Sequence, residues 1–106
     1  RVLLTDVVCA LTWRQRMVGL MGRTALKSGV GMFFPDCRAI HMFFMRMEID
    51  VVFLDEKWHV ADMVEHLKPW RVLICANPEG RHTLETRAGS LAGWALTVGD
   101  SLRLVE

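Results

Sequence analysis

Residues 41–55 read HMFFMRMEIDVVFLD, an apolar run that carries His41, Arg46, Glu48 and Asp50. An unpaired charge is costly to bury, so such a run needs either a surface or partners for these groups. In one flat strand Arg46, Glu48 and Asp50 would share a face with Met42, Phe44, Val52 and Leu54, because side chains alternate with a period of two. Three charges on one apolar face disfavour that arrangement. The pattern instead predicts a strand over 40–45, a turn or bulge over 46–49 that re-aims polar side chains, and a second strand over 50–54. A bend that aims Arg46 and Asp50 to the same side would let guanidinium and carboxylate meet as a charge-assisted pair. Such a pair is either a structural clamp, the favoured reading, or an anion site whose arginine Asp50 holds ready.

The remaining elements are short and β-rich. Val2–Ala10 reads as a strand. Thr12 can cap a helix over 12–22, in which Trp13, Met17, Leu20 and Met21 fall on one face and Gly22 ends the turn. A glycine-punctuated loop leads to an apolar strand halted by Pro35. Asp55-Glu56-Lys57 turns into a strand over 58–65, and Lys68-Pro69-Trp70 connects to another over 71–76. Asn77-Pro78-Glu79-Gly80 is a turn cluster. A strand over 83–87 follows, then a single helical turn near 90–95 with Ser90 as its cap, and a last strand over 101–105. About seven short strands, one short helix and one helical turn predict a mostly β chain, with minor α: a compact single-domain β-sandwich or partly closed barrel over residues 1–106.

With 106 residues and 52% hydrophobic residues, the chain can bury one core without metal or disulfide help. No uninterrupted apolar stretch is long enough for a transmembrane segment. The net charge of +1 is too balanced to favour nucleic acid, and Trp13, Trp58, Trp70 and Trp94 are not interleaved with basic residues as in a single-strand groove. Charge is nevertheless uneven: residues 1–47 hold seven Lys and Arg against Asp6 and Asp36, whereas the remainder holds six against ten carboxylates. Pairing between the two halves is the expected consequence, with a basic patch around Arg14, Arg16, Arg23, Lys27, Arg38 and Arg46 as the alternative. Cys9, Cys37 and Cys75 show neither disulfide nor zinc spacing, and the four histidines are scattered, so no metal and no cofactor is expected. Three unpaired thiols point to the cytoplasm, with export as the alternative.

Several separated motifs occur in a fixed order: Arg16-Met-Val-Gly-Leu-Met-Gly-Arg23, Gly31-Met-Phe-Phe34, the 41–55 run, Leu84-Glu85 with Ala88-Gly89, and Gly99-Asp100. In this the chain resembles the bacterial and archaeal domain of unknown function 192 family over nearly its whole length. A sub-branch reading Ile-His-x-Phe-Phe-Met-Arg, Ile-Asp-Val-Val-Phe-Leu-Asp and Lys-Pro-Trp-Arg is nearer still, matched here by Ile40–Arg46, Ile49–Asp55 and Lys68–Arg71. Two departures stand out. The common Met-Lys-Asn-Thr with a following proline is replaced by Arg46-Met-Glu-Ile, and Leu-Pro-Ala-Gly by Thr86-Arg87-Ala88-Gly89. The resemblance implies a compact β-rich fold of sandwich type and brings no activity with it.

The function expected from these residues is a non-enzymatic binding or accessory module. Its groove, lined by Met and Phe, would be edged by Arg16, Arg23, His41 and Arg46, with Met45 and Asp50 completing the site. A small anion or an extended protein segment added to a free sheet edge would occupy it. One alternative is a hydrolase-like enzyme in which His41 is the general base, Asp50 orients it and Arg46 stabilises negative charge. Another is a purely structural subunit of a larger assembly. Cys37 and His41, four apart on an extended segment, make a weak nucleophile–base pair. Oligomeric state leaves no mark in the sequence.

Overall fold

The computed structural model describes residues 2–10 and 26–104; the helix expected over 12–22, with Arg16, Met21 and Arg23, lies outside the described residues. Within them seven strands form two sheets. These are β1 (Asp6–Cys9), β2 (Val30–Phe34), β3 (Ala39–His41), β4 (Ile49–Leu54), β5 (Val60–Leu67), β6 (Val72–Ile74) and β7 (His82–Arg87). The larger sheet runs β1-β2-β7-β4-β5, parallel between β1 and β2 and antiparallel elsewhere. The smaller sheet is the antiparallel pair β3–β6. β4 lies between β7 and β5 and is buried along its whole length. That position explains why Ile-Asp-Val-Val-Phe-Leu is almost unbroken grease: both faces of the strand are covered.

Each face of the larger sheet has its own core. Ile49, Val51 and Phe53 pack with Met32, Phe34, Ile40 of the small sheet and Met42 and Cys75, which flank its strands. Phe33, Val52, Leu54, Val60 and Leu84 pack on the other face with Leu91, which belongs to the short helix α1 (Ser90–Trp94). The mostly β expectation with seven strands and one short helix therefore holds, and the described strands close no barrel. Four strands are shorter than expected: that over Val2–Ala10 is Asp6–Cys9, that over 71–76 is Val72–Ile74, and two more are cut further. The one over 40–45 stops at His41, and the one over 101–105 is reduced to a bridge between His59 and Ser101. The bend is present but wider, spanning residues 42–48, with Phe44 at φ 63°.

Ser90 does not cap α1. The N-cap is Gly89, at φ 94°, where a glycine avoids the steric cost of a side chain. The capping oxygen comes from β4 instead: Asp50 Oδ2 accepts the Gly89 and Leu91 amides, each at 3.0 Å. Its Oδ1 accepts the His66 amide at 2.9 Å. That donor is released by a bulge, since Ile49 pairs with Leu67 but Val51 with Val64, leaving Asp50 opposite both Glu65 and His66. Asp50, fully buried, is thus satisfied by three backbone N–H groups from two elements.

Asp50→Ala would strand three donors, each costing about 1–3 kcal/mol when left unpaired, and the costs are not additive. A total loss of about 3–5 kcal/mol is expected in urea unfolding, with the less severe Asp50→Asn losing about 1–3 kcal/mol. Glu85, on β7 between Met32 and Val51, is the other buried acid. Burial pushes its pKa up from the ordinary carboxyl value to about 8. Above the unfolded pKa the unfolded chain has released this proton while the folded chain keeps it, so stability falls as pH rises toward about 8. Glu85→Gln is expected to remove that slope. Melting temperatures of wild type and variant should diverge steadily with pH up to that value, the variant being the more stable.

Candidate functional site

The residues expected to form one site are dispersed. Met45 is buried in the core shared by the two sheets. Arg46 is exposed in the bend, and no described carboxylate pairs with it. The expected Arg46–Asp50 clamp is replaced by the amide cluster around Asp50, because three N–H donors already fill both of its oxygens. His41 does not meet Asp50 either. It stands exposed on β3, its Nδ1 accepting the Phe43 amide at 3.3 Å, whereas Asp50 faces α1 across the sheet. Nor does it meet Cys37, whose thiol donates to the Ala39 carbonyl. Cys75 is buried, its thiol donating to the Asn77 carbonyl, and burial is the main cause of its raised pKa.

Most of the Met and Phe side chains expected along a groove are core instead: Met32, Met42, Met45, Phe33 and Phe34 are all buried. Met47 is half-buried, and Phe43 and Phe44 are exposed in the bend. The Phe44 ring lies 5.1 Å from Trp70, Phe43 lies 6.1 Å from Trp70, and His41 stacks on Phe43 at 5.1 Å. Phe44 and Trp70 both have left-handed backbones, with φ of 63° and 65°. For a bulky residue that conformation is strained, and strain of this kind gathers where a surface is shaped for use. Here it holds two large rings at the surface, 61% and 59% exposed.

β6 continues this surface. Val72 and Ile74 are 60% and 64% exposed, with Leu73 half-buried between them. The ladder to β3 contains Met42 N to Arg71 O at 2.7 Å and Cys75 N to Arg38 O at 2.8 Å. Hydrogen-bonded and non-bonded pairs alternate in an antiparallel ladder, so Ile40 and Leu73 form the next bonded pair. Val72, opposite His41, and Ile74, opposite Ala39, therefore aim their N–H and C=O groups away from β3. Among the described residues nothing pairs with that outer edge.

The edge of β5 is treated differently. Val60 exchanges bonds with Asp100 and Gly99, the Asn77 side chain covers the Ala61 carbonyl, and Asp62 Oδ1 takes the Met63 amide. Charges, a bulge and overlying chain are the usual protections of a sheet edge, and among the described residues none of them lies along β6. Trp70, Val72 and Ile74 were not singled out in the sequence. The available signal was compositional: residues 37–47 and 66–78 contain no carboxylate at all.

A separate open cleft of ≈ 370 Å³ is lined by Leu26, Lys27, Met47, Glu48, Arg87 and Ala88. Glu48 on its rim is held by His66 at 3.2 Å. The expected pairing of the basic first half with the acidic second half is not what the described cations do. Lys27 and Arg46 make no described ion pair, and Arg38 donates to the carbonyls of Cys75 and Asn77. Among the described residues no cluster of His, Cys, Asp or Glu has metal-binding geometry, and no helix is long and apolar enough to cross a membrane.

The chain is 36% identical over 66 residues to a UPF0127 protein of Thermococcus sibiricus and 38% identical over 65 residues to one of Pyrococcus horikoshii. These matches cover 60% and 61% of this chain but only 40% and 55% of the relatives. A crystal structure of a Novosphingobium aromaticivorans protein of unknown function superposes with a TM-score of 0.82 at 25% identity, covering 92% of this chain and 74% of that one. A Sinorhizobium meliloti protein carrying a provisional transcription-regulator name gives 0.79 at 24% identity, over 92% and 79% of the two chains, a likeness that shows the fold alone. The family model for DUF192, an uncharacterised group, matches residues 2–104. The chain belongs to the DUF192 family.

Proposed function

We propose that this domain is a non-enzymatic protein-interaction module that takes an extended segment of another protein as an added strand on β6. The observation that carries this reading is the outward-facing, unpaired ladder of Val72 and Ile74 beside the exposed Phe44–Trp70 rings. Strand addition draws affinity from main-chain hydrogen bonds and specificity from alternate side chains, and both are supplied here. Val72 and Ile74 offer one apolar row, and the rings extend it past the end of β6. A hydrolase centred on His41 lacks support, because Asp50 and Cys37 are committed elsewhere. For a small anion the described residues offer the Lys27–Arg87 cleft, where Glu48 shares the rim and lowers its appeal.

In the free protein, amide exchange followed by NMR is expected to be fast at Val72 and Ile74 and slow at Leu73. Uniform protection of all three would end the strand-addition reading. Val72→Pro and Ile74→Pro each remove one outward N–H without breaking a bond to β3, so both should fold yet lose binding of an alternating Val–Thr peptide of about eight residues. Phe44→Gly and Trp70→Gly relieve left-handed strain at a cost in ring contact. Their unfolding free energies are expected to stay within about 1 kcal/mol of wild type while peptide affinity drops.

A further inference from the structure

We infer that the segment received by β6 is acidic as well as apolar: alternate side chains cover Val72 and Ile74, and carboxylates at the end that runs past Trp70 face Arg71 and Lys68. This rests on the strand-addition reading and adds the chemistry of the partner. The stretches that build the small sheet and its aromatic rim, residues 37–47 and 66–78, hold Arg38, Arg46, Lys68 and Arg71 and no Asp or Glu. All four cations are exposed. Arg38 is engaged with carbonyls, and Arg46, Lys68 and Arg71 have no described carboxylate partner. The chain as a whole carries only +1, so this surface concentrates positive charge well beyond the average.

Geometry assigns the apolar and acidic positions. Arg71 directly precedes β6 and Lys68 lies three residues further back, so both stand at the end of the edge next to Trp70. An added strand places one row of side chains over Val72 and Ile74 and then runs past Arg71. Carboxylates there meet cations that nothing described neutralises, and complementarity of this sort sets encounter rate and partner choice more than bare affinity.

Two other occupants fit less well. A second copy paired through β6 would bring further cations and, from residues 37–47 and 66–78, no carboxylate to meet Arg71 and Lys68. An anionic lipid surface would attract the cations and rings, but it would leave the outward N–H and C=O groups of Val72 and Ile74 without ladder partners. An acidic extended peptide satisfies the ladder, the rings and the charge together.

The test uses three labelled peptides of about eight residues that share one Val/Ile alternation and differ at their polar positions: Asp/Glu, Asn/Gln, or Lys. Fluorescence anisotropy is expected to show the acidic peptide binding at least about tenfold more tightly than its amide version, with the gap closing as ionic strength rises from about 0.05 to 0.5 M. Lys68→Glu with Arg71→Glu should transfer the preference to the lysine peptide. Equal binding of all three peptides, abolished by Ile74→Pro, would overturn the acidic partner while leaving strand addition standing. No loss of binding in Ile74→Pro or in the alternative edge variant Val72→Pro would overturn strand addition itself. Binding of phosphatidylserine vesicles but of no peptide, or a dimer in sedimentation that Ile74→Pro dissolves, would overturn the inference in favour of a lipid surface or a second copy.

Discussion

One carboxylate in the middle of the larger sheet ties three elements together. Asp50 holds the bulged end of β5 with one oxygen and the entry to α1 with the other. α1 has five residues and no side-chain cap of its own. A helix that short has no independent stability in water, since nucleation costs more than so few hydrogen bonds return. It persists because Asp50 satisfies its first amides and Leu91 is buried against Val52 and Leu54. The same side chain resolves the disturbance that the bulge creates, by accepting the His66 amide displaced from the ladder. A buried acid in an apolar strand, apparently the least economical feature of the sequence, is thus what joins a sheet edge to the layer that covers the other face.

This also explains which parts of the fold could be read from residues alone. The strands were legible because apolar alternation and turn residues are properties of side chains. The break after the Met-Phe run was legible because Arg46, Glu48 and Asp50 cannot share an apolar face. The partners of Asp50 were not legible. Arg46, the nearest cation in sequence, was the natural candidate, but the actual donors are backbone amides of His66, Gly89 and Leu91, and an amide leaves no residue-type signature. Where those amides fall depends on a bulge and a left-handed glycine, which only the three-dimensional register fixes. The same holds for the candidate surface. Phe43 and Phe44 look like core in a list of apolar residues beside Met42 and Met45, and their outward direction follows from one positive φ in the bend.

The contrast between sheet edges carries the functional argument. Leaving a strand edge open invites unwanted pairing, and natural sheets suppress it with charge, bulges or covering chain. β5 has all three, in Asp62 and Glu65, in its two register shifts, and in the segment around Asp100. β6 reads Val-Leu-Ile, with its charges placed before it and not within it. A fold that protects the edge of β5 so thoroughly has the means to protect that of β6. Two exposed aliphatic side chains and two aromatic ones with left-handed backbones there are what supports the proposal of a surface kept open for a partner.

The small sheet is also held rigidly enough to act as a template. Ile40, Met42 and Cys75 anchor its inner face in the core. Thr83 Oγ1 donates to the Cys37 carbonyl at 2.6 Å, and Arg38 ties down the carbonyls of Cys75 and Asn77. A side chain added at Gly80 would run into the Cys75 sulfur, so even the turn after β6 is packed closely against it. An edge fixed in this way lowers the ordering cost that a receiving surface would otherwise contribute on binding, leaving mainly that of the incoming segment. In the proposed interaction selectivity would therefore come from what that segment brings, its apolar alternation and its charge, because the geometry of the acceptor is already set.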